Sequence, residues 1–259
     1  MTNGKHGKTS NQSSSSSPTA SEPVDPNLAI SDFHDRANSF GLETARLIEK
    51  SFPSTEWEVT VSARSDSARS VIQATVPLTQ PPPRGGTTPN PLAHLGVTIK
   101  CCLDSQGQYL AVENSTYRLV ASIDKTPMVR VEYERGSRRK PAAHLHVHAH
   151  RGAFSHILSR LKHKTPHSLE SLHLPLGGDR FRPCLEDFVQ FLIEDCNFDH
   201  KPDWRDAVTE GRERWRRIQT RAVVRDAPSE AVDALQKMGY QVIPPEELVV
   251  DNITKLHTW

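Results

Sequence analysis

From Trp57 to His150 apolar residues recur at every second position, in one short segment after another, with turn sequences between them. Trp57, Val59, Val61 and Ala63 alternate with Glu58, Thr60 and Ser62, and Val71 to Val76 is a second such run. The stretch QPPPRGGTTPNP then breaks the pattern as a long exposed loop would. Val97, Ile99, Cys101 and Leu103 resume it, and Asp104 to Gly107 turns the chain into Tyr109 to Val112. Tyr117 to Ala121 continues that strand or forms another, and Val129, Val131 and Tyr133 alternate with Arg130, Glu132 and Glu134. The last run is HLHVHAH, His144 to His150. Alternation with period two buries one side of a strand and leaves the other polar. Successive strands with short turns predict an antiparallel meander covered on one face by helices.

The flanks carry the helical period instead. Ser31 is a good N-cap for a helix with Phe33, Ala37, Phe40, Leu47 and Ile48 on one stripe. That helix should end near Phe52 and Pro53, because proline disfavours helical geometry in the residue before it. Phe154, Ile157, Leu158 and Leu161 mark a second helix. Pro183 suits the first position of a third, whose buried stripe is Leu185, Phe188, Val189, Leu192 and Cys196. Trp204, Val208, Gly211, Trp215, Ile218 and Ala222 share one face of a further helix, and a short helix capped by Ser229 stops at Gly239. Residues 1–28, rich in Ser and Thr with almost nothing to bury, read as a disordered tail. The fold class is therefore α+β, an antiparallel β-meander packed with helices. The domain runs over 29–200, and a helical C-terminal extension packs on it over 201–259.

Composition narrows the function. A net charge of +1 gives no global field to attract nucleic acid or membrane, so such a partner would have to meet a local patch. The four cysteines lack CxxC spacing and read as buried apolar thiols in a reducing compartment. The N-terminal stretch has no apolar run of a signal peptide, and no segment reaches the ~18 apolar residues of a membrane span. The expected location is the cytoplasm.

The histidine strand is where chemistry would sit. His144, His146, His148 and His150 share one face, and Ala143, Leu145, Val147 and Ala149 share the other. The plainest expectation puts Leu145 and Val147 in the core and leaves the histidines solvated. Two imidazoles at His-x-His spacing can also ligate one zinc ion, making His144, His146 and His148 candidate metal ligands. His156, His173, Asp179 or Asp187 would then complete the set. A metal-free alternative uses a histidine pair as general acid and base, with Arg180 or Arg182 holding a phosphate. Those arginines belong to HLPLGGDRFRP, whose glycines and following helix start suit an anion, although a Gly-Gly turn before a helix explains the same residues. Arg138, Arg139 and Lys140 have the same two readings. On the helix of EGRERWRRIQTR, the arginines from Arg212 to Arg221 could meet RNA or an acidic protein, but the interspersed glutamates favour an ordinary surface helix.

The alternating run resembles the motif of the histidine-triad nucleotide hydrolases. That resemblance makes His144, His146 and His148 the triad, with His148 attacking an α-phosphate. The stretch from AAHLHVHAHRGAFSHIL through HKTPHSLESLHLPLGGDRFRPCLEDFVQFLIEDC to EGRERWRR resembles a family of uncharacterised actinobacterial proteins. It covers roughly the second half of the chain and implies a bacterial protein without implying an activity. A meander ending in a histidine-rich strand is also distantly similar to the histidine-rich toxins of bacterial toxin–antitoxin pairs, although their compact Pro-His-His pattern is missing here. Two function classes follow. One is a cytoplasmic binding or regulatory protein. The other is a histidine-dependent hydrolase of phosphodiesters or nucleotides, which needs the histidine face enclosed where a docking module leaves it open.

Overall fold

The computed structural model describes residues 26–258, apart from 64–66, 82–89, 105, 106, 108, 138, 149–151, 153, 154, 156–158, 160–163, 169, 170, 172, 173 and 177–181. Within these bounds the chain is a mixed α+β fold. Helix α1 (Pro26–Ser51) leads into β1 (Val59–Ala63), β2 (Arg69–Leu78), β3 (Ala93–Leu103), β4 (Leu110–Ala121), β5 (Pro127–Glu134) and β6 (Ala143–Val147). These six strands pair in sequence order, each antiparallel to the next, and the two-residue β7 (Leu174–Pro175) adds to β6. Four helices follow: α2 (Leu185–Glu194), α3 (Trp204–Asp226), α4 (Pro228–Lys237) and α5 (Ile253–Leu256). No described helix is long and apolar enough to cross a membrane.

One face of the sheet is the core face. Ile72, Val97 and Tyr117 lie on it with α1 residues Phe33 and Ile48 and α2 residues Phe188 and Leu192. The ladder register carries that face across: Val97 pairs with Tyr117, Tyr117 with Val131, and Val131 with Leu145. Trp204, Ala207 and Val208 of α3 join the same core, whereas α4 buries no residue.

Several boundaries differ from the sequence expectation. Helix α1 begins at Pro26, which places 26–28 in a helix rather than in the tail; the fixed φ of proline suits a first helical position, where its missing N–H is no loss. Residues 1–25 lie outside the described residues, as does most of the expected 154–161 helix. The runs at 109–112 and 117–121 form one strand, which accommodates a register shift opposite Lys100 and Cys101. Pro183 precedes the N-cap of α2; that cap is Cys184, whose N–H donates to the Asp187 carboxylate at 3.4 Å. Cys196 falls beyond the end of α2. The start of α4 is Pro228 at its first turn, with Ser229 already inside the helix.

Three arginines of α3 act as struts to other helices. Arg212 bonds Asp187 at 2.8 Å, Arg205 pairs with Glu194 of α2 at 2.7 Å, and Arg214 reaches Glu43 of α1 at 3.4 Å. Arg217 bonds Glu213 of its own helix at 2.6 Å. Charge committed to internal carboxylates weakens the field that an RNA or an acidic partner would meet.

Candidate metal centre

In strand β6 the side chains alternate as the sequence predicts, but their burial is the reverse of the expectation. His144 is fully buried and His146 is 3% exposed, while Leu145 and Val147 are only half-buried. The solvated ladder therefore does not hold for these two residues. His148 lies past the strand end, where its N–H donates to the Met128 carbonyl at 2.9 Å. Its Nε2 is buried without a hydrogen-bond partner among the described residues. His150, His156, His173, Asp179, Arg180 and Arg138 lie outside the described residues.

What faces the two imidazoles is a residue of the neighbouring strand. Register places Glu132 opposite His144 and Arg130 opposite His146, all on the side of the sheet away from Tyr117 and Val131. Glu132 Oε2 lies 3.2 Å from His144 Nε2 and 3.2 Å from His146 Nε2. The two rings meet edge to face with centroids 4.9 Å apart. Glu132 Oε1 turns the other way, to Arg130 Nε at 3.1 Å. The hydrogen bond with His144 holds the Glu132 carboxyl well below the usual range, at about 2, against the opposing effect of burial.

The tautomer of His144 follows from a second contact. Its Nδ1 is 2.8 Å from the Pro141 carbonyl, which only accepts, so Nδ1 carries the proton. In the neutral ring the Nε2 lone pair then points at a carboxylate oxygen. Such a pair is stable only with a positive charge between the two atoms, either a second proton on the ring or a cation.

The spacing suits a cation. The donor atoms of Glu132, His144 and His146 all lie within 4.8 Å of one another. Tetrahedral zinc with bonds of ~2.0–2.1 Å sets its ligand atoms about 3.3 Å apart. The two 3.2 Å separations match that edge. Metal-bound histidines also typically donate their other N–H to a carbonyl or carboxylate, as His144 does to Pro141.

Two of the three sequence-proposed ligands thus come together, and the third place is taken by Glu132. Asp187, proposed for that place, instead bonds Arg212. Arg182 is also separated from the histidines. It reaches Tyr117 and stacks near Tyr133, both core-face residues, whereas Glu132, His144 and His146 point the other way. The alternation of RVEYER does put Glu132 and Arg130 on one face of β5, but the hairpin register that aligns them with His144 and His146 depends on the 135–142 connection. No protein-family model, curated protein or solved structure matches the chain.

Proposed function

We propose that the protein is a zinc-class metalloprotein and that its centre, held by Glu132, His144 and His146, serves hydrolysis of a phosphodiester or nucleotide. The observation that carries this reading is the convergence of the three donors around Glu132 Oε2, with the His144 tautomer set by Pro141. Three protein ligands leave a position for water or substrate, the pattern of catalytic rather than closed structural zinc. A bound divalent ion supplies a polarising charge and lowers the pKa of its water.

The neighbouring side chains suit an anionic substrate. Arg118, Arg130 and His146 form one cross-strand row beside the row of Thr116, Glu132 and His144. Arg118 is exposed and supplies the surface cation of that row, while Arg130, half-buried and paired with Glu132 at 3.1 Å, lies between it and the buried histidines. The burial of His144 and His146 sets them apart from the solvated side chains of a flat, open docking face.

The test is hydrolysis of bis(p-nitrophenyl) phosphate and of a fluorogenic RNA oligonucleotide by the full chain, before and after chelation. Activity should disappear with chelator and return with zinc. It should be lost in Glu132→Gln and His146→Ala, while Arg130→Ala should mainly raise KM. Activity that survives chelation yet fails in His146→Ala would replace the metal with acid–base chemistry by the same histidines. No activity in either state would overturn the hydrolytic reading and leave a binding or regulatory role.

A further inference from the structure

On the opposite side of the sheet, a cavity of about 640 Å³ opens between α1, the core face and α3. We infer that this cavity binds a small amphiphile with a carboxylate head, and that Arg182 takes the head. The inference is independent of the metal centre, because it rests on other residues and on the other face of the sheet.

The volume falls in the range of pockets that enclose small organic ligands. Phe40, Leu47, Ile99, Leu110, Val112 and Leu185 supply apolar wall. Arg182 lines the same cavity and is only 7% exposed. A buried guanidinium normally has a carboxylate against it, because an unpaired buried charge is strongly disfavoured. No such partner lies within ion-pair distance of Arg182 among the described residues. Its contacts are the Tyr117 hydroxyl, which accepts from Nη1 at 3.3 Å, and the rings of Tyr133 and Trp215, centred 5.6 and 5.2 Å from its Cζ. Tyr117 is a neutral acceptor and cannot balance the charge.

A second donor faces the cavity, and this one lacks any acceptor among the described residues. Trp215 lines the cavity, and its indole N–H is buried with no hydrogen-bond partner among the described residues. Two donors under an apolar wall are what an anionic head with an apolar body would use. The cavity also has carboxylates. Glu43 is paired with Arg214 at 3.4 Å, and Glu186, Asp104 and Asp226 lie on the wall as well. Arg36 is paired outside the cavity with Asp32 at 2.7 Å, and Arg135, Arg182, Arg214, Arg221 and Arg225 exceed the four carboxylates by one, a balance that favours an anion. A planar carboxylate matches the guanidinium fork, and the Tyr133 and Trp215 rings restrict the plane in which it can approach.

The experiment uses the full chain, saturated carboxylates of six to fourteen carbons, naphthoate as an aromatic carboxylate, and the alcohols corresponding to each. Binding is read by tryptophan fluorescence and by thermal midpoint. At least one carboxylate should raise the midpoint and change the fluorescence, with its alcohol binding at least tenfold more weakly. Arg182→Met should remove the preference of carboxylate over alcohol. Ile218→Asp adds a negative charge at a half-exposed position on the cavity wall, where folding is not at stake, and should weaken the carboxylate selectively. Chelator should change none of these results, which separates them from the fate of the metal proposal. Absence of binding across the series would overturn the inference. So would equal affinity for acid and alcohol, or unchanged carboxylate affinity in Ile218→Asp and a folded Arg182→Met.

Discussion

A histidine with no exposed surface needs a partner at both ring nitrogens: Nδ1 of His144 donates to the Pro141 carbonyl, and Nε2 faces the Glu132 carboxylate at 3.2 Å. His144→Ala leaves a buried carbonyl and a half-buried carboxylate short of a partner, which should cost ~2–4 kcal/mol. Leu145 is half-buried, so Leu145→Ala should cost less, at most ~2 kcal/mol. Urea midpoints of the two variants check the order, and a larger loss from Leu145→Ala would contradict it. The thiols make a separate prediction. Burial pushes Cys101 up to about 12 and raises Cys184 as well. A raised acid contributes stability that is complete below its ordinary pKa and is lost as pH rises toward the folded value. For Cys101 that window runs from 9.0 to about 12, and each pH unit within it removes about 1.4 kcal/mol. Cys101→Ala should therefore flatten the fall in thermal midpoint above pH ~9. An unchanged slope would show that the thiol does not resist ionisation. At this scale the sequence disclosed the two histidines but not their third partner. Same-strand spacing is visible in a string of residues, whereas Glu132 reaches His144 only through cross-strand register. Burial of the polar side was also hidden, because alternation identifies two faces without saying that both are covered.

Helices α2 and α3 lock through polar contacts at one close approach. Glycine stands at 211 because a Cβ there would meet the Glu186 side chain, including its Oε1. In a free helix Gly→Ala gains up to ~1 kcal/mol. Here Gly211→Ala should instead destabilise by ~1 kcal/mol or more, since the contact involves the body of the Glu186 side chain as well as its tip. The double variant Gly211→Ala, Glu186→Ala should recover most of that loss. Thermal melts of the singles and the double test this, and failure of the double to recover would place the strain elsewhere. The order of strands and the long helices were legible because period two and period 3.6 each persist over many residues. Helix starts were less so. Proline at the first turn of α1 and α4, and a cysteine N-cap at α2, competed with serine and proline signals that point to neighbouring positions.

For the molecule as a whole, the sheet divides two kinds of chemistry. Its core face meets α1, α2 and α3 and leaves a cavity with a buried cation, and its other face gathers Glu132, His144 and His146. The segment around Arg182 follows the histidine strand in the chain, yet Arg182 lies on the core face. Closeness in sequence therefore suggested a single site where the fold builds two. Whether the three converging donors hold a metal decides what this face of the sheet does. The most direct measurement is the zinc content of the full chain, by elemental analysis after expression with zinc and again after chelation and re-addition. About one zinc per chain should be present and should rebind with equal stoichiometry, with His146→Ala and Glu132→Gln each losing it while remaining folded. A folded chain that carries no zinc and takes none up on addition would contradict the account, leaving a protonated His144 against Glu132 as the charge that holds the cluster together.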